Sequence, residues 1–197
     1  RAAVDWIEAQ LKSYGCSNTE RISYEYTGRQ LRLPGDTTTR RPPTQTPGIA
    51  RPSTLPVKGF RGRTGVNINP ELQPDTALRR INAEPDTPGP RQEVFCTKIG
   101  STHPEEMYII GAHMDGHGFG AAANDDGSGT ALVMELARIL SAPDVQTERS
   151  VRFALWNNEE TGLNGARAYT EQRKDLQGKE DPVGSGKYPE PKWLGMI

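Results

Sequence analysis

EMYIIGAHMDGHGFGAAANDDGSGTALVMELARIL, residues 106–140, carries the pattern from which the fold follows. It opens with a β-rich apolar run, EMYIIGA, that leads directly into His113 and Asp115. It closes with apolar residues at helical spacing from Ser128 to about Leu140, which puts Leu132, Leu136, Ile139 and Leu140 on one expected face. Between the two lies a glycine-rich loop holding Asn124, Asp125 and Asp126. Strand, loop and helix in that order are the first two-thirds of a βαβ unit. Carboxylates and an imidazole crowd the point where strand gives way to helix.

On the C-terminal side, SVRFALW (150–156) reads as a compact strand that ends on NNEETGL, bringing in Glu159 and Glu160. TGLNGARAYTEQRKDL (161–176) reads as a helix, and KWLGMI (192–197) as the opening of another strand. On the N-terminal side, QEVFCTKI (92–99) is a strand separated from EMYIIGA by the polar turn GSTHPEE. The order β-β-α-β-α-β predicts an α/β fold, a three-layer α/β/α sandwich on a largely parallel, mixed central sheet. Sheets of this kind gather ligands outside the carboxyl ends of their strands.

Three segments divide the chain. Residues 1–27 hold an amphipathic helix, with Val4, Ile7 and Leu11 on one face and Gly15 as its stop, followed by the strand RISYEYT. Residues 28–90 are rich in proline and glycine, offer one short helical candidate at DTALRRIN (75–82), and read as an insertion or lid on the domain surface. Residues 91–197 form the core that carries the chemistry.

Zinc takes imidazole nitrogen and carboxylate oxygen, and catalytic zinc keeps a position for water. His113 with Asp115 two residues on suits a ligand backed by a carboxylate that fixes its tautomer. Asp125 has two oxygens with which to bridge a pair of cations. Adjacent Glu159 and Glu160 point differently, so one can ligate while the other handles a proton. Each element alone has an ordinary reading: a loop histidine, a helix cap at Asp126 or Ser128, acids at a helix start. Together, each at a strand end, they read as a site. His117 reads as a solvent-exposed loop residue and His103 as structural. No GxSxG elbow, cysteine nucleophile or phosphate-binding glycine loop is present.

IIGAHMD, AANDDGSGTALVMELAR and RSVRFALWNNEETGLNGARAY resemble the zinc aminopeptidase family that includes bacterial leucyl aminopeptidases, plasma glutamate carboxypeptidases and transferrin-receptor-like proteins. The resemblance covers roughly residues 94–197. It implies two zinc ions, with His113 and Glu160 each holding one and Asp125 bridging both. It further implies Glu159 as general base, Asp115 as support for His113, and a cis peptide bond between Asp125 and Asp126. The family's two remaining ligands, an aspartate past the next strand and a later histidine, do not occur here. A chain ending inside a core strand leaves sheet hydrogen bonds unmade, so the expectation is a truncated domain, a fragment or one piece of a cleaved protein, with the missing C-terminal part as a partner.

The implied function is a zinc-dependent exopeptidase acting on peptides, an aminopeptidase first. The alternatives are a carboxypeptidase releasing acidic residues from the same core, or a receptor-like binding module without catalysis. A formal net charge of −1 offers no field for nucleic acid, and no apolar run approaches a membrane span. Arg40, Arg41, Arg51, Arg61 and Arg63 read as solvated loop charge. Cys16 and Cys96 permit one disulfide in an oxidising compartment, or two buried thiols. With a chain that begins at Arg1, a secreted or periplasmic protein is expected.

Overall fold

The computed structural model describes residues 2–16, 18–28, 69–83 and 87–197. Most of the 28–90 insertion, including the five arginines of its loop, lies outside the described residues. Nine regular elements follow one another: α1 (Ala2–Ser13), β1 (Asn18–Tyr26), α2 (Thr76–Asn82), β2 (Gly89–Lys98), β3 (His103–His113), α3 (Ser128–Leu140), β4 (Arg149–Trp156), α4 (Asn164–Arg173) and β5 (Lys192–Met196).

The five strands form one sheet in the order β1-β2-β4-β3-β5. β1 pairs antiparallel with β2 and β2 antiparallel with β4, whereas β4, β3 and β5 run parallel. The sheet is thus mixed, with its parallel half the one that carries the motifs. β3 begins at His103, so most of the expected polar turn is already strand, and His103 sits beside Glu105 at 3.3 Å.

Helices cover both faces. On one, Val4, Ile7 and Leu11 of α1 pack with Val133, Met134 and Ala137 of α3 over Val94, Cys96, Phe153 and Leu155. On the other, Tyr169 of α4 packs with Ile22, Phe95, Met107, Ile109, Ala154 and Trp156. The face of α3 differs from the expected one. Leu136 and Leu140 pack at the core margin, but Leu132 is 58% and Ile139 44% exposed. Val133, Met134 and Ala137 take the centre. α3 is apolar around most of its circumference, so spacing alone does not single out the buried stripe.

Cys16 and Cys96 form a disulfide that ties the end of α1 to β2. Gly15 stops α1 at φ +86°, the left-handed conformation expected of a residue just past a helix. On the α4 face, the Arg152 guanidinium is buried with Glu190 at 2.5 Å, and it also donates to Tyr169 Oη and Thr97 Oγ1. The donors and acceptors of this buried charge are therefore matched inside the protein.

Candidate metal centre

β3 and β4 are parallel neighbours in a register that sets His113 beside Trp156, so the loops following both strands leave the sheet side by side. The Met114 N–H donates to the Trp156 carbonyl at 2.8 Å, extending the ladder one step into those loops. This arrangement puts His113, the NDD turn and the Glu159–Glu160 pair at one end of the sheet, as strand order requires.

The His113 side chain is only 11% exposed. Its Nδ1 lies 2.8 Å from the backbone carbonyl of Asp115. A carbonyl can only accept, so Nδ1 carries the proton and Nε2 is left to face the loop carboxylates. Asp125 Oδ1 is 3.1 Å from Nε2 and Glu159 Oε2 is 3.9 Å from it. One ligand atom each from His113, Glu159 and Glu160 falls within a mutual 4.8 Å. Carboxylates gathered around a single imidazole nitrogen form a donor set whose charge a divalent cation neutralises, and nitrogen-plus-oxygen donors suit zinc.

Asp115 does something other than the sequence reading anticipates. Its carboxylate oxygen is 3.7 Å from the ring, and its carbonyl makes the imidazole contact. The carboxylate instead accepts the Glu159 N–H at 3.0 Å and the Glu160 N–H at 3.1 Å. It therefore fixes the backbone of both glutamates while its own main chain orients His113. His117 is half-buried rather than exposed.

The NDD segment, Ala123–Gly127, is a kinked turn whose backbone is non-helical at Asp125 and Asp126, with a cis bond between those two residues. Asp126 Oδ1 accepts the Gly129 N–H at 3.0 Å, capping α3, and its Oδ2 accepts the His113 N–H at 3.2 Å. A Cβ on Gly129 would overlap that carboxylate. Thr130 Oγ1 donates to the His113 carbonyl at 2.9 Å. The capping role falls to Asp126, and Ser128 takes none of it. Glu159 and Glu160 lie in the turn before α4, which starts only at Asn164 after a left-handed Leu163.

Contacts from outside the motifs also shape the site. Tyr24 Oη on β1 reaches the Asn157 carbonyl at 3.0 Å and Asn158 Oδ1 at 3.1 Å. Asn157 Nδ2 donates to the Gln92 carbonyl at 2.9 Å. Nothing in the sequence marks these as site residues, because their partners lie 65 and more positions away. Gln73 Nε2 and Asn82 Nδ2 bond the Phe119 and Gly120 carbonyls at 2.7 and 3.0 Å, so the described part of the insertion is tied to the loop after β3. A cleft of about 410 Å³ lies at the opposite end of the sheet, around Asn18, Ile99 and Tyr188. Its buried arginine, Arg152, is already neutralised by Glu190.

Fold and site together define an α/β core with a candidate metal centre at the carboxyl ends of β3 and β4. Residues 94–181, which hold all three motifs, match Peptidase family M28, so the resemblance read from those motifs is shown on the stretch that carries them. The chain is 34% identical to the probable lipoprotein aminopeptidase LpqL of Mycobacterium tuberculosis over 118 residues, 59% of this chain and 22% of that protein. It is 34% identical to carboxypeptidase Q of Xenopus laevis over 76 residues, 39% of this chain and 16% of that protein. Among solved structures, BSAP, a zinc aminopeptidase from Bacillus subtilis, matches at 31% identity and a TM-score of 0.38, over 42% of this chain and 20% of that one. The chain spans about a fifth of the length of these relatives.

Proposed function

We infer that these residues belong to a zinc-dependent exopeptidase, an aminopeptidase by first reading, in which His113, Asp125 and Glu160 are metal ligands and Glu159 is the general base. The observation that carries this is the convergence of His113 Nε2 with loop carboxylates at the carboxyl ends of β3 and β4. Zinc bound there supplies Lewis-acid polarisation of a peptide carbonyl and a lowered pKa for water. Two ions are expected from the resemblance.

The chain's own residues then have distinct tasks. His113 is held in one tautomer by the Asp115 carbonyl. Asp115 pins the N–H groups of the glutamate pair, so Glu159 and Glu160 extend from a fixed backbone. Glu159, at 37% exposed, keeps access to water and substrate and moves a proton from the attacking water to the leaving amine. The similarity to carboxypeptidase Q supports a second reading on the same core, in which the free end recognised is the carboxylate. The disulfide suits an oxidising compartment, and a lipoprotein among the relatives fits secretion or a periplasmic site. The domain boundaries near residues 28 and 90 belong to the same reading.

The test is hydrolysis of aminoacyl p-nitroanilides and of N-blocked dipeptides by the intact protein, before and after chelation. Chelator-sensitive release of p-nitroaniline, restored by zinc, is the expected result. Cleavage of the blocked dipeptides alone selects the carboxypeptidase reading, and metal-independent behaviour in both assays refutes the function.

A further inference from the structure

Glu93 of β2 is fully buried, and neither of its carboxyl oxygens makes a hydrogen bond to the described residues. Its side chain lies on the α4 side of the sheet, beneath the turn that carries Glu159 and Glu160. A Cβ on Gly165 would fall onto Glu93 Oε2 and onto the Asn157 carbonyl, so glycine at 165 leaves room for this acid. The same turn is closed by the Gly165 N–H on the Asn157 carbonyl at 3.0 Å and the Asn164 N–H on the Asn158 carbonyl at 3.1 Å. Asn158 is left-handed at φ +56°, a conformation asparagine tolerates better than most residues.

We propose that Glu93 is a positioning residue for the Glu159–Glu160 pair, its carboxyl wedged between Gly165 and the backbone of Asn157 so that the turn leaves β4 in one orientation. The inference rests on the function proposed above for that pair. Asp115 holds the pair from the substrate side. Glu93 and Tyr24 hold the preceding two residues from beneath. Losing either support lets the glutamates drift, and misplacement of about 1 Å costs roughly 100-fold in rate.

The burial that makes Glu93 a rigid wedge also sets its charge. Desolvation raises its pKa to about 8, opposed by the Asn157 N–H that faces it. The other charged or titratable groups around this corner are Tyr24 of β1, Arg91 of β2 and Asp115 of the loop after β3. α4 faces Glu93 with Gly165, and the turn after β4 with the backbone of Asn157. The folded protein keeps the proton up to about pH 8, whereas the unfolded chain releases it near 4.5. Stability from this group therefore falls as pH rises through that window and levels off above it.

The experiment compares wild type, Glu93→Gln and Glu93→Ala in the full-length protein. In the metal-free state, amide exchange of the peptide spanning residues 157–164 and melting temperature against pH are read without substrate. In the zinc-loaded state, kcat and KM are read. Glu93→Gln is expected to keep near wild-type kcat and slow exchange, while losing the fall in melting temperature between roughly pH 5 and 8. Glu93→Ala is expected to speed exchange selectively at 157–164 and to lower kcat by roughly 10–100-fold with KM little changed. Exchange at 157–164 unaffected by alanine, or a melting-temperature pH profile of Glu93→Gln that matches wild type, would overturn the proposal. If wild type shows no zinc-dependent activity, the proposed function fails, and the exchange and melting data still decide the role of Glu93.

Discussion

Glu159 and Glu160 share one turn, and their N–H groups are held by the same Asp115 carboxylate. Their side chains nevertheless have separate assignments, so they can be tested against each other. Glu159→Gln should lower kcat by roughly 10²–10⁴-fold with zinc content unchanged, the loss expected for a general base. Glu160→Gln should lower zinc content itself. Steady-state kinetics paired with elemental analysis reads both, and metal loss in the first variant with retention in the second would exchange their roles. His113, Asp125 and the glutamate pair can be picked out of the sequence as candidates because each stands in a short motif at a strand end. Glu93 and Tyr24 cannot. Within QEVFC, an acid at an alternating position reads as a solvent-facing strand residue, and its burial follows only from α4 crossing that face.

Among the elements, β4 is where stability and function meet. It ends at the glutamate turn, and midway along it Arg152 is buried against Glu190 with Tyr169 and Thr97 as further partners. Glu190→Ala should destabilise the fold by about 3–5 kcal/mol, because it strands a buried guanidinium. Urea denaturation checks this. A loss within the range of an exposed ion pair, about 0–1 kcal/mol, would contradict it. The strands and helices themselves were readable from periodicity, and α1 even in its buried face, since Val4, Ile7 and Leu11 are set among polar neighbours. α3 was readable as a helix but not in its orientation. Its apolar residues surround the axis, and the choice of Val133, Met134 and Ala137 depends on where α1 and β4 already lie. The pairing order β1-β2-β4-β3-β5 is likewise tertiary information, for no local pattern states that β4 inserts between β2 and β3.

Across the whole molecule, the Cys16–Cys96 disulfide closes a loop of 80 residues that contains the insertion. Chain-entropy arithmetic for such a loop gives about 4.5 kcal/mol, so replacing both cysteines by serine should lower unfolding free energy by that order. A change well under 1 kcal/mol in denaturant titration would show that the crosslink is incidental to folding. The same crosslink fastens α1 to the sheet, and the insertion reaches back through Gln73 and Asn82 to the loop after β3. The site is thus framed by segments from the whole length of the described chain, although its candidate ligands come from residues 113–160. The most direct test of the zinc-peptidase account is elemental analysis of the intact protein purified without added metal, beside His113→Ala. The account predicts about two zinc ions per protein and a marked loss in the variant. A folded intact protein with no bound zinc, or a variant with undiminished zinc, would contradict it.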